Sequence, residues 1–313
     1  MVNSIRSEDK GVLLVDCGSL LPTGKQSDLT KKMSAGLGMQ AMEKMGYAAM
    51  NLGKEDFFFG PGFIKGLSAN VTFPAITSNI VYRKDLSPFG RAYAVVKVQN
   101  INVGILGIVP EGAFDSVTAS ETRDLLDILP PREVLSNLIP AVRKEAGIII
   151  LLSQCGLETT RSIVDTVDGI DLAITGEGDL GRREASCGSN EEDLAEDHTR
   201  GEKILLLQAA SKGRSLGYVR LTLNEAGRIV DQQTKMIPIN QSTAANEEIL
   251  AITGENIYKK MAEIEQATLK AYKEKAAQNR MDIEREIEKY RDLSPEEFIK
   301  LERERQSKVR GEK

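Results

Sequence analysis

The chain is poor in the residues that most often announce a chemistry. Its 313 residues include one histidine, His198, and three cysteines, Cys17, Cys155 and Cys187. One histidine and scattered thiols exclude a zinc-spaced Cys/His cluster. An odd cysteine count without regular spacing also excludes a disulfide scaffold. No apolar run approaches the length of a membrane span, so no transmembrane helix is expected. The opening residues, MVNSIRSEDK, lack the apolar core of a signal peptide. A net charge of −5 offers nothing that would attract nucleic acid or an anionic membrane surface. No Gly-x-x-x-x-Gly-Lys-Ser/Thr loop is present, and Gly176-Glu177-Gly178-Asp179 completes no phosphate-binding motif.

What is present is a core and a repeated local plan. Hydrophobic residues make up 41% of the chain, enough for one sizeable domain with extensions. Four apolar runs each end in glycine and small or polar residues. They are Leu13-Leu14-Val15-Asp16-Cys17-Gly18-Ser19, Met50-Asn51-Leu52-Gly53-Lys54-Glu55-Asp56-Phe57, Ile149-Ile150-Leu151-Leu152-Ser153-Gln154-Cys155-Gly156 and Leu172-Ala173-Ile174-Thr175-Gly176-Glu177-Gly178-Asp179. Each reads as a buried strand whose C-terminal end carries the polar group. In an open α/β sheet such ends line the ligand crevice.

The order and spacing of these frames resemble the metallophosphatase (calcineurin-like phosphoesterase) domain of the 5′-nucleotidase family, over roughly residues 11–240. That family reads GD, then GNHE, then a Ser-His pair before a glycine, then GHxH, each after a strand. Here the frames survive and the metal ligands do not. Ser19 stands at the GD aspartate, Lys54 and Glu55 at the Asn and His of GNHE, Gln154 at the Ser-His histidine, and Glu177 and Asp179 at the histidines of GHxH. The family's opening DxH motif has no counterpart, because too few residues precede the first strand. Gly213-Arg214-Ser215-Leu216-Gly217 follows in the family's order. The resemblance implies an α/β metallophosphatase-like β-sandwich flanked by helices, with the first strand missing and a long helical C-terminal extension. It implies a domain over residues 1–240 and an extension over 241–313. It also implies that the family's dinuclear chemistry is lost. Relatives in that family are often periplasmic or extracellular; as it stands this chain reads as cytoplasmic.

The remaining elements follow from periodicity. Asp28 is expected to cap a helix over 28–45 that Gly46 ends. A strand is expected over 75–80, a hairpin over 91–109, a polar connection over 111–129, and a helix over 131–146. A helix is expected over 158–167, and strands over 204–208, 216–223 and 229–239. Phe57-Phe58-Phe59 reads as a core plug beneath the Lys54 loop, with a crevice wall as the alternative. Residues 182–201 read as a solvated acidic loop that holds His198. From 244 to 292 the composition turns to Glu, Lys, Ala and Gln. Ile257, Met261 and Ile264 mark one apolar seam there, and Ile283, Ile287 and Tyr290 another. A long helix, or two stacked ones, with a narrow seam needs a partner. The partner could be its own domain, another protein or another copy. Ser294-Pro295-Glu296-Glu297 reads as a further helix start.

Three readings of the crevice follow. In the first it is a degenerate, non-catalytic site in a binding or assembly module, with no cofactor expected. Asp16, Glu55, Asp56, Glu177 and Asp179 would then raise one another's pKa values, and Lys54, assisted by Arg182 and Arg183, would offset them. If that pairing were buried, removing Lys54 would cost about 3–5 kcal/mol. In the second reading Glu55, Gln154, Glu177 and Asp179 hold Mg²⁺, Mn²⁺ or Ca²⁺, which suit oxygen ligands, in a divergent phosphoesterase. In the third, Cys17 and Cys155 act as a thiol pair at the sheet edge, or, more plainly, are small buried residues at strand ends.

Overall fold

A computed structural model describes residues 1–9, 11–21, 27–117, 119–176, 204–208 and 213–290. By packing, the chain divides into a first unit, Met1–Glu255, and a second, Asn256–Lys313. The first unit opens with α1 (Val2–Glu8), β1 (Val15–Asp16), α2 (Asp28–Met45) and β2 (Ala49–Asn51). A 3₁₀ turn over Lys54–Phe57 follows, then α3 (Pro61–Ser68), β3 (Ala75–Ile76), β4 (Ile80–Tyr82), β5 (Tyr93–Val98) and β6 (Ile101–Ile108). Next come α4 (Ser120–Leu125), β7 (Leu126–Ile128), α5 (Pro131–Glu145), β8 (Ile148–Ser153), α6 (Leu157–Val164) and β9 (Leu172–Thr175). The unit closes with β10 (Leu205–Gln208), β11 (Ser215–Leu223), β12 (Ile229–Pro238) and α7 (Glu247–Thr253).

Two sheets form the centre. One has the order β1-β2-β3 and is parallel; the other has the order β10-β9-β8-β6-β5 and is parallel except for β5. β8 is buried at every position, as a strand covered on both faces must be. Cys17, Ala49 and Ile76 of the small sheet share one core cluster with Val103, Ile105, Ile150 and Leu152 of the large one. The sheets therefore face each other as a sandwich. Behind the large sheet, Leu135, Ile139 and Val142 of α5 and Ile163 of α6 pack on Leu106, Leu151 and Ala173. Behind the small sheet, Met39 and Met42 of α2 and Ile64 of α3 pack with Met50 and Phe57. This is the helix-flanked α/β sandwich that the frames imply.

The local differences have local causes. The cap of α2 is Ser27, whose Oγ accepts the Thr30 N–H at 3.2 Å, while Asp28 occupies the first turn. The strand expected over 75–80 is two strands, because Asn79 leaves the ladder. Its amide donates to Val109 O and Leu129 O and its Oδ1 accepts from Val109 N. The polar connection over 111–129 contains α4 and also β7, which pairs antiparallel with β4. A six-residue helix followed by a three-residue strand leaves too short a period to read. Beyond residue 240, α7 stays with the first unit, packed on α2, with Lys44 Nζ 3.2 Å from Glu248. In the second unit, α8 (Glu255–Tyr290) is one continuous helix. No described helix is long and apolar enough to cross a membrane.

Candidate functional site

Parallel pairing aligns the C-terminal ends of β1 and β2 in one sheet and of β8 and β9 in the other, and bonds from Gln154 to Cys17 and from Cys17 to Ile174 join the two edges. After β1 the chain turns at Gly18 (φ +101°) and Ser19 (φ +67°). A Cβ on Gly18 would stand 2.6 Å from Asn51 O, so this close crossing of β1 and β2 needs glycine. Ser19 is a non-glycine residue in the left-handed region, a conformation that tends to persist where surrounding contacts over-determine it. Those contacts are present. Ser19 Oγ donates to Glu55 Oε2 at 2.6 Å and lies 3.5 Å from Gln154 Oε1. Gln154 Nε2 donates to Cys17 O at 2.8 Å, and Gly176 lies against the same amide. Four of the seven singled-out positions, Asp16, Ser19, Glu55 and Gln154, thus sit at one edge. Lys54 stands on its rim. Glu177 and Asp179, together with Arg182, Arg183, His198 and Cys187, lie outside the described residues.

The pivot of the edge is Asp56. It is fully buried, and its carboxylate gathers backbone N–H groups from two loops. Oδ2 accepts from Ser19 at 2.9 Å and Gly53 at 2.9 Å; Oδ1 accepts from Leu20 at 2.8 Å and Leu21 at 3.3 Å. Burial pushes the carboxyl up to about 6 and outweighs these donors, which favour the charged form; Asp16 adds a smaller push upward. Asp16 is itself raised by burial, against the Gly18 N–H it accepts at 2.7 Å. Sequence reasoning placed Asp56 among the acids but missed its role. The signal was available: an acid three residues after Gly53 reaches back to the N–H that opens the 3₁₀ turn.

Lys54 does not make the buried pairing expected of it. Its ammonium is 3.8 Å from Glu55 Oε1, and its side chain is 45% exposed. Backbone amides, not a cation, satisfy the buried acid here, and the Lys54 pair is a rim contact. Phe57 is fully buried and packs on Phe89 and Phe114, with ring centroids 5.3 and 5.0 Å away, so it is the core plug. Phe59 is half-buried beneath Lys32, whose Nζ lies 4.7 Å above its ring.

The thiols of Cys17 and Cys155 are free and buried, and they belong to different core clusters. Cys17 Sγ lies 3.3 Å from Ile174 O. Burial pushes the Cys155 thiol up to about 11 and the Cys17 thiol higher still. A thiol held protonated is a poor nucleophile for disulfide exchange.

The donor set also bears on metal. A dinuclear phosphoesterase centre needs anionic or imidazole ligands, one of them bridging two cations. Here Ser19, at the position that resembles the family's bridging aspartate, donates its proton to Glu55, Lys54 carries an ammonium, and Gln154 is neutral. Among the described residues no three His, Cys, Asp or Glu side chains group as ligands. These side chains do not fit a two-metal centre. A separate groove of about 390 Å³, lined by Arg132, Glu133, Ser136, Asn137, Thr166 and Val167, shares no residue with this edge.

No family model matches the chain. Among curated proteins it is 29% identical to the 5′-nucleotidase of Rattus norvegicus over 258 residues, covering 77% of this chain and 43% of that protein. Among solved structures it is similar to the 5′-nucleotidase precursor of Thermus thermophilus, with TM-score 0.68 and 19% identity over 82% of this chain and 52% of that one. It is also similar to the calcineurin-like phosphoesterase YfkN of Bacillus subtilis, with TM-score 0.67 and 19% identity over 84% of this chain and 88% of that one. The chain spans under half the length of the curated relatives it matches.

Proposed function

We propose that this chain, a metallophosphatase domain of the 5′-nucleotidase family, is a non-catalytic binding or assembly module. One observation carries the reading: Ser19 Oγ donates to Glu55 at 2.6 Å while Lys54 stands 3.8 Å from the same carboxylate. Hydrogen bonding and a fixed cation thereby occupy the position that resembles the family's metal cradle. A cation would have to displace both to use Glu55. In this reading residues 1–240 form the degenerate domain, 241–313 the extension, and the C-terminal helix is the partner surface.

The test is metal content after dialysis against Mn²⁺, Mg²⁺, Ca²⁺ and Zn²⁺, followed by hydrolysis of a generic phosphodiester and of a nucleoside monophosphate. No stoichiometric metal and no turnover is the expected result. Near-stoichiometric retention of one metal with turnover would overturn the reading. It would favour the second one, a divergent phosphoesterase using Glu55 and Gln154 with Glu177 and Asp179. The identity to rat 5′-nucleotidase supports that alternative. Loss of such turnover in Glu177→Ala would assign it.

A further inference from the structure

We draw no further inference here: the strongest candidate, the N-terminus of α6 at Gly156, which carries no side-chain cap and begins two residues beyond Gln154 of the crevice edge, is a helix terminus at which nothing among the described residues points to a ligand.

Discussion

Replacing Asp56 is the most direct perturbation of the crevice. The carboxylate accepts four backbone N–H groups, from Ser19, Leu20, Leu21 and Gly53, at 2.8–3.3 Å. A buried donor left without a partner costs about 1–3 kcal/mol, so Asp56→Ala orphans groups worth about 4–12 kcal/mol. Two terms oppose this. Water entering the vacated space satisfies some donors. Removing the buried charge also relieves about 3 kcal/mol, because a rise from 3.8 to about 6 corresponds to about 1.4 kcal/mol per unit. The expected net loss at pH 7 is roughly 4 kcal/mol, a large part of a typical domain's stability. Asp56→Asn keeps one acceptor oxygen but turns an NH₂ toward two N–H donors, and should lose somewhat less. The pH dependence separates charge from shape. The folded carboxyl keeps its proton up to about pH 6 and the unfolded one releases it near 3.8. Between these values the folded state binds more protons, so stability falls as pH rises through about 4 to 6 and levels above that. Asp16, also raised by burial, adds a slope of the same sign, so the diagnostic quantity is wild type minus Asp56→Asn. Urea titration of each protein at several pH values between 4 and 8 measures it. A cost below 1 kcal/mol for Asp56→Ala would refute the argument that this carboxylate clamps the two loops.

Other residues give independent checks. Lys54→Met should change stability by no more than about 1 kcal/mol in urea titration, since its contact with Glu55 is on the exposed rim; a loss of several kcal/mol would restore the buried-pair idea. Phe57→Ala should cost about 3–5 kcal/mol in the same assay, because it empties a fully buried site between Phe89 and Phe114. Cys17 and Cys155 should resist Ellman's reagent in the native protein and react on unfolding. Prompt native labelling of both would revive a redox role.

The sandwich was legible because it depends on features that repeat. The runs 13–16, 49–52, 148–152 and 172–175 are apolar strands ending in glycine or small residues; parallel pairing aligns their ends within each sheet, and the facing of the two sheets brings the ends together. Long-period helices such as α2 and α5 were legible for the same reason. What sequence could not give was produced by single side chains acting at a distance. Asn79 breaks a strand by bonding to residues 109 and 129. Asp56 binds a loop 35–37 residues earlier. Neither leaves a periodic trace. Lys54 was misassigned because a cation beside acids in sequence suggests a pair, whereas the buried acid two residues on is satisfied by amides.

Under the degenerate reading proposed above, amides in place of a cation hold the shape of the crevice. In a metal centre, cations hold several anionic ligands together that would otherwise repel. Here, among the described acids, Asp56 alone is fully buried, and its partners come from the backbone of two adjacent loops. Ser19 gives Glu55 a hydrogen bond and Gln154 ties the β8 end to Cys17 O, so the strand ends are joined by neutral contacts. Among the described residues, these contacts join the strand ends without an ion.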